Sequence, residues 1–189
     1  MKETQVKIYF IATSITESIV FLEEINGIRI LPIWIGPFEA QAIALKMSGY
    51  TSPRPMTHDL LYRVITTLAT NIKKVVISDL IENTFFAKIY LEKDNTIFEI
   101  DARPSDAIAL AVRAGCPIYI NEEIFKITQV ITKPITDEEV TQFKEKLKNM
   151  TFKDIIGEHP PKIDKDNKES DENNKDNKKE EGKWTKNRS

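Results

Sequence analysis

The twenty residues "DARPSDAIALAVRAGCPIYI" at 101–120 decide how this chain is to be folded. A strand-like segment, "TIFEIDA" (96–102), runs into Pro104, which suits a first helical position because the N–H it lacks has no partner there. The alanine-rich stretch behind it reads as a helix, and "CPIYI" (116–120) as a short strand. Asp106 falls at the third helical position, beside unpaired N–H groups and the positive helix end, and Arg113 lies near the negative end.

The same pattern occurs once before. Sliding the chain against itself by 67 positions lays "PFEAQAIALK" (37–46) over "PSDAIALAVR" (104–113), with Pro37 on Pro104, Glu39 on Asp106 and Lys46 on Arg113. Upstream, Ile8 meets Val75, Phe10 meets Ile77, Ile30 meets Ile97 and Ile33 meets Ile100. Each copy reads as three strands and a helix. The first has "QVKIYFIAT", "SIVFLEEI", the hairpin signal Asn26-Gly27 and "IRILPIWI"; the second has "KKVVISDLI", "FFAKIYLEK", Asp94-Asn95 and "TIFEIDA". Between the copies sits an inserted helix, "MTHDLLYRVITTLATN". Thr57 is its expected N-cap, and Leu60, Leu61, Val64, Ile65 and Leu68 its expected buried face. The expected fold is α+β: a duplicated β-β-β-α unit with a largely antiparallel sheet and one inserted helix.

Composition divides the chain into a domain over 1–130, a C-terminal extension over 131–157 and a charged tail over 158–189. In the extension, Thr136 and Glu139 form a capping box, and Val140, Phe143 and Leu147 recur at helical spacing. From Lys162 onward nine Lys/Arg face eight Asp/Glu, with too little apolar surface to offset the entropy of ordering; the tail is expected to be disordered.

Bulk properties exclude several classes. A net charge of −2 argues against a binder working by overall positive charge. A single cysteine, Cys116, rules out an intramolecular disulfide framework and fits a reducing, cytoplasmic setting. With His58 and His159 the only histidines, no Cys/His zinc site assembles. No apolar run is long enough to span a bilayer, so no membrane partner is expected. The Gly-rich phosphate loop, the G-x-S-x-G elbow and H-E-x-x-H are all missing.

The chemistry concentrates at the helix starts. Asp101, Arg103, Ser105 and Asp106 share one strand-to-helix turn, where backbone donors hold anions. Helix electrostatics alone accounts for Asp106 and Arg113, and for Glu39 and Lys46. It accounts less well for so dense a cluster. The functional alternative makes Asp101, Asp106 and Glu39 ligands for Mg²⁺ or Mn²⁺, with no organic cofactor. His58 and Asp59, opening the inserted helix, would move protons, since His58 is the one side chain of the domain that titrates near neutrality unperturbed. Arg103, Ser105, Arg113 and Arg54 would hold phosphate. Against these stand the plainer roles of a first-turn histidine and a solvated loop arginine. Trp34 and Phe38, flanking the first helix start, are the aromatics least readily assigned to the core.

Three blocks, "LPIWIGPFEAQAIAL" (31–45), "RPMTHDLL" (54–61) and "DARPSDAIALAVRAGCPIY" (101–119), resemble the bifunctional nuclease domain family, long catalogued as a domain of unknown function. The resemblance covers residues 3–130 and implies cleavage of RNA and DNA, an activity ascribed to plant members. Its acidic and basic motif positions fall on Glu39, His58, Asp59, Asp101, Arg103, Ser105, Asp106 and Arg113.

The expected function is therefore metal-assisted hydrolysis of RNA or DNA by a homodimer. Its rivals are a non-catalytic dimeric module that binds an anion or partner at the same turns, and a purely structural use of the charges across a subunit interface.

Overall fold

The computed structural model describes residues 2–14 and 17–133. The expected helix at Thr136–Leu147 and the charged tail lie outside the described residues. The element order is β1 (Glu3–Thr13), β2 (Ser18–Glu24), β3 (Arg29–Ile35), α1 (Pro37–Met47), α2 (Thr57–Thr67), β4 (Asn71–Ile81), β5 (Thr84–Lys93), β6 (Thr96–Ala102), α3 (Pro104–Ala114), β7 (Ile118–Asn121), α4 (Glu122–Ile127) and β8 (Ile131–Thr132). The fold is α+β, as expected, and the duplication is real in three dimensions. A shift of 67 carries β3 onto β6 and α1 onto α3, bound for bound.

Eight strands form one sheet in the order β6-β5-β4-β7-β1-β2-β3-β8. Each copy is an antiparallel meander of three strands. The two are stitched by β7, the "CPIYI" strand, which runs antiparallel to β1 and parallel to β4, placing Ile118 opposite both Val6 and Val75. Tight two-residue turns at positive φ join the strands: Glu82 and Asn83 between β4 and β5, and Asp94 and Asn95 between β5 and β6, with Asn83, Asp94 and Asn95 of the types that tolerate this conformation.

Val20, Leu22, Leu31 and Ile33 of the first copy and Val75, Ile77, Ile108 and Leu110 of the second share one core. Small residues let α3 seat closely: Ala107, Ala109 and Ala111 are buried along it. Gly115 then stops the helix in the left-handed conformation, φ 67°, that favours glycine.

The inserted helix forms, but not as expected. Thr57 is its first helical residue and Met56 its N-cap, whose N–H donates to Asp59 Oδ2 at 2.9 Å. Of the face expected to be buried, Leu60, Leu61, Val64 and Leu68 are exposed; only Ile65, with Tyr62, packs against the core. The apolar stripe is there, but nothing in the described residues covers it. Among the strand aromatics, Phe21 is fully buried, whereas Phe86 and Phe98 are exposed. Two short elements, α4 and β8, were not expected. No helix among the described residues is long and apolar enough to cross a membrane.

Candidate functional site

The N-terminal turns of α1, α2 and α3 carry a carboxylate at the same place, the third helical position: Glu39, Asp59 and Asp106. Each helix end thus gains an anion where its free N–H groups are concentrated. The turns are joined by a chain of side-chain contacts. Arg103, the N-cap of α3, donates from Nε to Asp106 Oδ2 at 2.7 Å and from Nη2 to Asp106 Oδ1 at 3.1 Å. The same Nη2 lies 2.9 Å from Glu39 Oε1 on α1. His58 Nε2, from α2, lies 3.1 Å from Asp106 Oδ1. Since an ionised carboxylate only accepts, Nε2 carries the proton of that bond and Nδ1 is the basic nitrogen.

Exposure separates the roles. The Arg103 side chain is 66% exposed, while that of His58 is only 12% exposed. Burial by itself would raise the Asp106 carboxyl, but hydrogen bonds from Arg103 and His58 outweigh it and hold the group below the usual carboxylate range. Hydrogen bonds to Asp106 first, and then to Glu39, push the Arg103 guanidinium up. Asp106 therefore stays ionised and Arg103 charged.

Arg113 has a different task from the one expected. Its side chain, 4% exposed, folds back along α3 rather than serving the helix end. Nε donates to Asp59 Oδ1 at 2.7 Å, Nη1 to the Ala109 carbonyl at 2.9 Å and Nη2 to the Ala42 carbonyl at 3.3 Å. One guanidinium thus ties α2, α3 and α1 together with every nitrogen used. Burial raises the Asp59 carboxyl, but the Met56 N–H and Arg113 overcome it and the net shift is downward.

The other expected residues are scattered. Ser105, at the second position of α3, is buried. Arg54 is exposed in the loop before α2. Asp101 is exposed on β6, opposite Lys88, and joins none of the contacts above. As arranged, Glu39, Asp101 and Asp106 do not fit a divalent cation: the Arg103 guanidinium lies on both Glu39 and Asp106, where the ion would sit. Among the described residues no three His, Cys, Asp or Glu side chains gather as metal ligands.

One residue gains an importance that sequence reading did not give it. Gly36 holds in the first copy the N-cap place of Arg103. Glu39 folds back so closely that a Cβ on Gly36 would stand 2.2 Å from its Oε2. A glycine before Pro37 was the available signal. The two helix starts consequently share one arginine, and the duplication builds one charged centre rather than two. Phe38, beside Glu39, is 81% exposed.

A duplicated three-strand-and-helix domain whose helix starts converge on an arginine, two carboxylates and a histidine defines a class with the makings of an anion site. Residues 20–133 match the bifunctional nuclease domain, and the chain belongs to that family. It is 39% identical over 145 residues to an uncharacterized protein of Mycobacterium tuberculosis, covering 77% of this chain and 87% of the relative. It is 26% identical over 104 residues to bifunctional nuclease 1 of Arabidopsis thaliana, covering 53% of this chain and 32% of the plant protein. For bifunctional nuclease 1 of Oryza sativa subsp. japonica the identity is 24% over 110 residues, covering 57% and 33%. This chain thus spans about a third of the length of the plant proteins.

Proposed function

We propose that the chain hydrolyses phosphodiester bonds of RNA or DNA at the meeting point of the three helix starts. The observation that carries this reading is the line Glu39–Arg103–Asp106–His58, which sets a charged, exposed guanidinium beside a carboxylate-oriented imidazole.

In this reading Arg103 faces the phosphate and offsets the negative charge that grows on it during attack. The helix N-termini add partial positive charge without adding net charge, which suits a chain of pI near 5.8. Asp106 holds the His58 imidazole in place: it fixes the tautomer and stabilises the imidazolium. His58 Nδ1 takes the proton of the attacking water as its oxygen bonds to phosphorus. The bond from phosphorus to the leaving sugar oxygen breaks, and that oxygen draws a proton from solvent. Asp59 and Arg113 keep α2, and so His58, in position.

The pairing of Arg103 with two carboxylates favours a second reading, a non-catalytic dimeric module in which an anionic ligand or partner competes for that arginine. Cleavage of labelled single-stranded RNA and DNA by purified protein separates the two, run with Mg²⁺, Mn²⁺ or EDTA beside Asp106→Asn. Activity lost in the folded variant supports the nuclease, and its survival in EDTA supports the proton-transfer route over a metal. No cleavage in any condition, with oligonucleotide binding that needs Arg103, supports the module.

A further inference from the structure

The duplication supplies an internal control for burial. In β3 of the first copy, Ile30, Leu31 and Ile33 are buried to within 1% of completely. Their counterparts in β6, Ile97, Phe98 and Ile100, are 50, 48 and 45% exposed. The two strands have the same length and hold the same place in their meanders, yet the outer edge of β3 is paired with β8 through Ile30–Ile131, while β6 ends the sheet. The second copy keeps apolar residues where the first buries them, and the described residues leave them bare.

We propose that β6 is the edge along which a second copy of this chain pairs, strand to strand and antiparallel, so that two eight-stranded sheets become one. An edge meeting its own twofold-related copy is self-complementary by construction, and cyclic dimers are the commonest closed assembly. Centred on Glu99, the antiparallel register sets Phe98 of each copy opposite Ile100 of the other, on the face that carries the core residues Ala87 and Ile89 of β5. On the opposite face the two Glu99 side chains meet, but each is already neutralised by Lys88 of its own chain at 2.7 Å. Lys88 and Glu99 shift each other as a pair does, the amine up and the carboxyl down. Six of the seven residues of β6 are exposed, so pairing along it contributes to the ~800 Å² that each partner gives to a stable interface. Pairing would also saturate a row of backbone donors and acceptors that otherwise marks an aggregation-prone edge. This reading of β6 stands apart from the catalytic proposal.

Sedimentation velocity of the full chain over a concentration series tests it, with Phe98→Lys/Ile100→Lys as the interface variant, which sets like charges opposite each other in that register. Both side chains are exposed within one copy, so the variant keeps its fold, as far-UV circular dichroism checks. A dimer for the wild type and a monomer for the variant are expected. In addition, Glu99→Cys treated with a short thiol cross-linker yields covalent dimer, and Leu61→Cys on the bare face of α2 does not. A monomeric wild type, or cross-linking through Leu61→Cys with a still-dimeric β6 variant, would overturn the proposal; the latter would move the interface to α2.

Discussion

His58 Nε2 and Asp106 Oδ1 stand 3.1 Å apart although 48 residues separate them in the chain. The contact exists because the inserted helix and the second-copy helix present their first turns to each other, and Arg103 then extends it to the first-copy helix. A histidine, an aspartate, an arginine and a glutamate from three helices therefore act as one electrostatic unit. Changing any one of them alters the charge felt by the rest.

Arg103→Ala separates function from stability. The side chain is mostly exposed, and exposed ion pairs contribute roughly 0–1 kcal/mol, so the urea midpoint is expected to move little. Cleavage is expected to fall by about 100-fold, the usual cost of removing one donor to developing charge. Arg103→Lys restores charge without the fork and recovers only part of the rate. A large stability loss with unchanged cleavage would assign Arg103 to the scaffold.

Arg113→Ala should behave in the opposite way. Removal of this buried guanidinium deprives Asp59 of its counter-ion and leaves the Ala42 and Ala109 carbonyls without its N–H groups. A cost of about 2–3 kcal/mol is expected, less than for a fully buried pair because Asp59 remains partly solvated. Denaturant unfolding monitored by tryptophan fluorescence measures it. Any loss of activity should follow from displacement of α2 and be largely absent where substrate binding reorders the helix.

The contrast between the two arginines shows what was legible in the sequence. The six long strands and both duplicated helices could be read from alternation, turn residues and proline, all of which act locally. The charged residues of the helix starts could be picked out for the same reason. Their partners could not. Arg113 sits where a helix dipole wants a cation, and only the packing of three helices turns it back toward Asp59. The apolar stripe of α2 was equally plain, but periodicity tells which face is apolar and not what covers it. Helix α4 was signalled faintly by Asn121 ahead of Glu122 and Glu123; the Asn121 side chain indeed accepts from the Glu123 N–H. Strand β8 is two residues long and exists only through its pairing with β3.

Acid should destabilise the domain through Glu122 in particular. Hydrogen bonds from Arg29 first, and then from the Thr4 hydroxyl, hold its carboxyl at about 2 against an ordinary 4.5. Because the folded-state value is the lower one, the stabilisation is complete above pH 4.5 and is lost as pH falls toward 2. Asp59 and Asp106 shift in the same direction and add to the slope. Urea midpoints measured down this range should fall, and Glu122→Gln should start lower and fall less. An equal slope in wild type and variant would remove Glu122 from the account.

Cys116 should be a slow thiol. Burial pushes it up to about 11 from an ordinary 9.0, so at a given pH below both values the thiolate is about 100-fold scarcer than in an unfolded chain. Alkylation by iodoacetamide is expected to be slower in the native protein, by less than that factor because a more basic thiolate is also more nucleophilic, and to match a free thiol in denaturant. Fast native labelling would instead mark the loop from Gly115 to Pro117 as readily opened.

Gly36→Ala perturbs one contact of the site without touching its charges. The backbone there, φ −68° and ψ 152°, is open to any residue, so the substitution carries no conformational strain. What it meets is the Glu39 carboxylate, 2.2 Å from the new methyl group, and that flexible side chain must swing away. Arg103 then loses Glu39 while keeping Asp106. With one fewer carboxylate on it, the guanidinium should bind oligonucleotide phosphate several-fold more tightly, and the effect should shrink as salt is added. Stability should change by less than about 1 kcal/mol, since the pair given up is largely exposed on the arginine side. Fluorescence anisotropy at two salt concentrations measures the affinity. Tighter binding would show that Glu39 restrains Arg103, whereas weaker binding would mean that Glu39 holds the arginine in its working position.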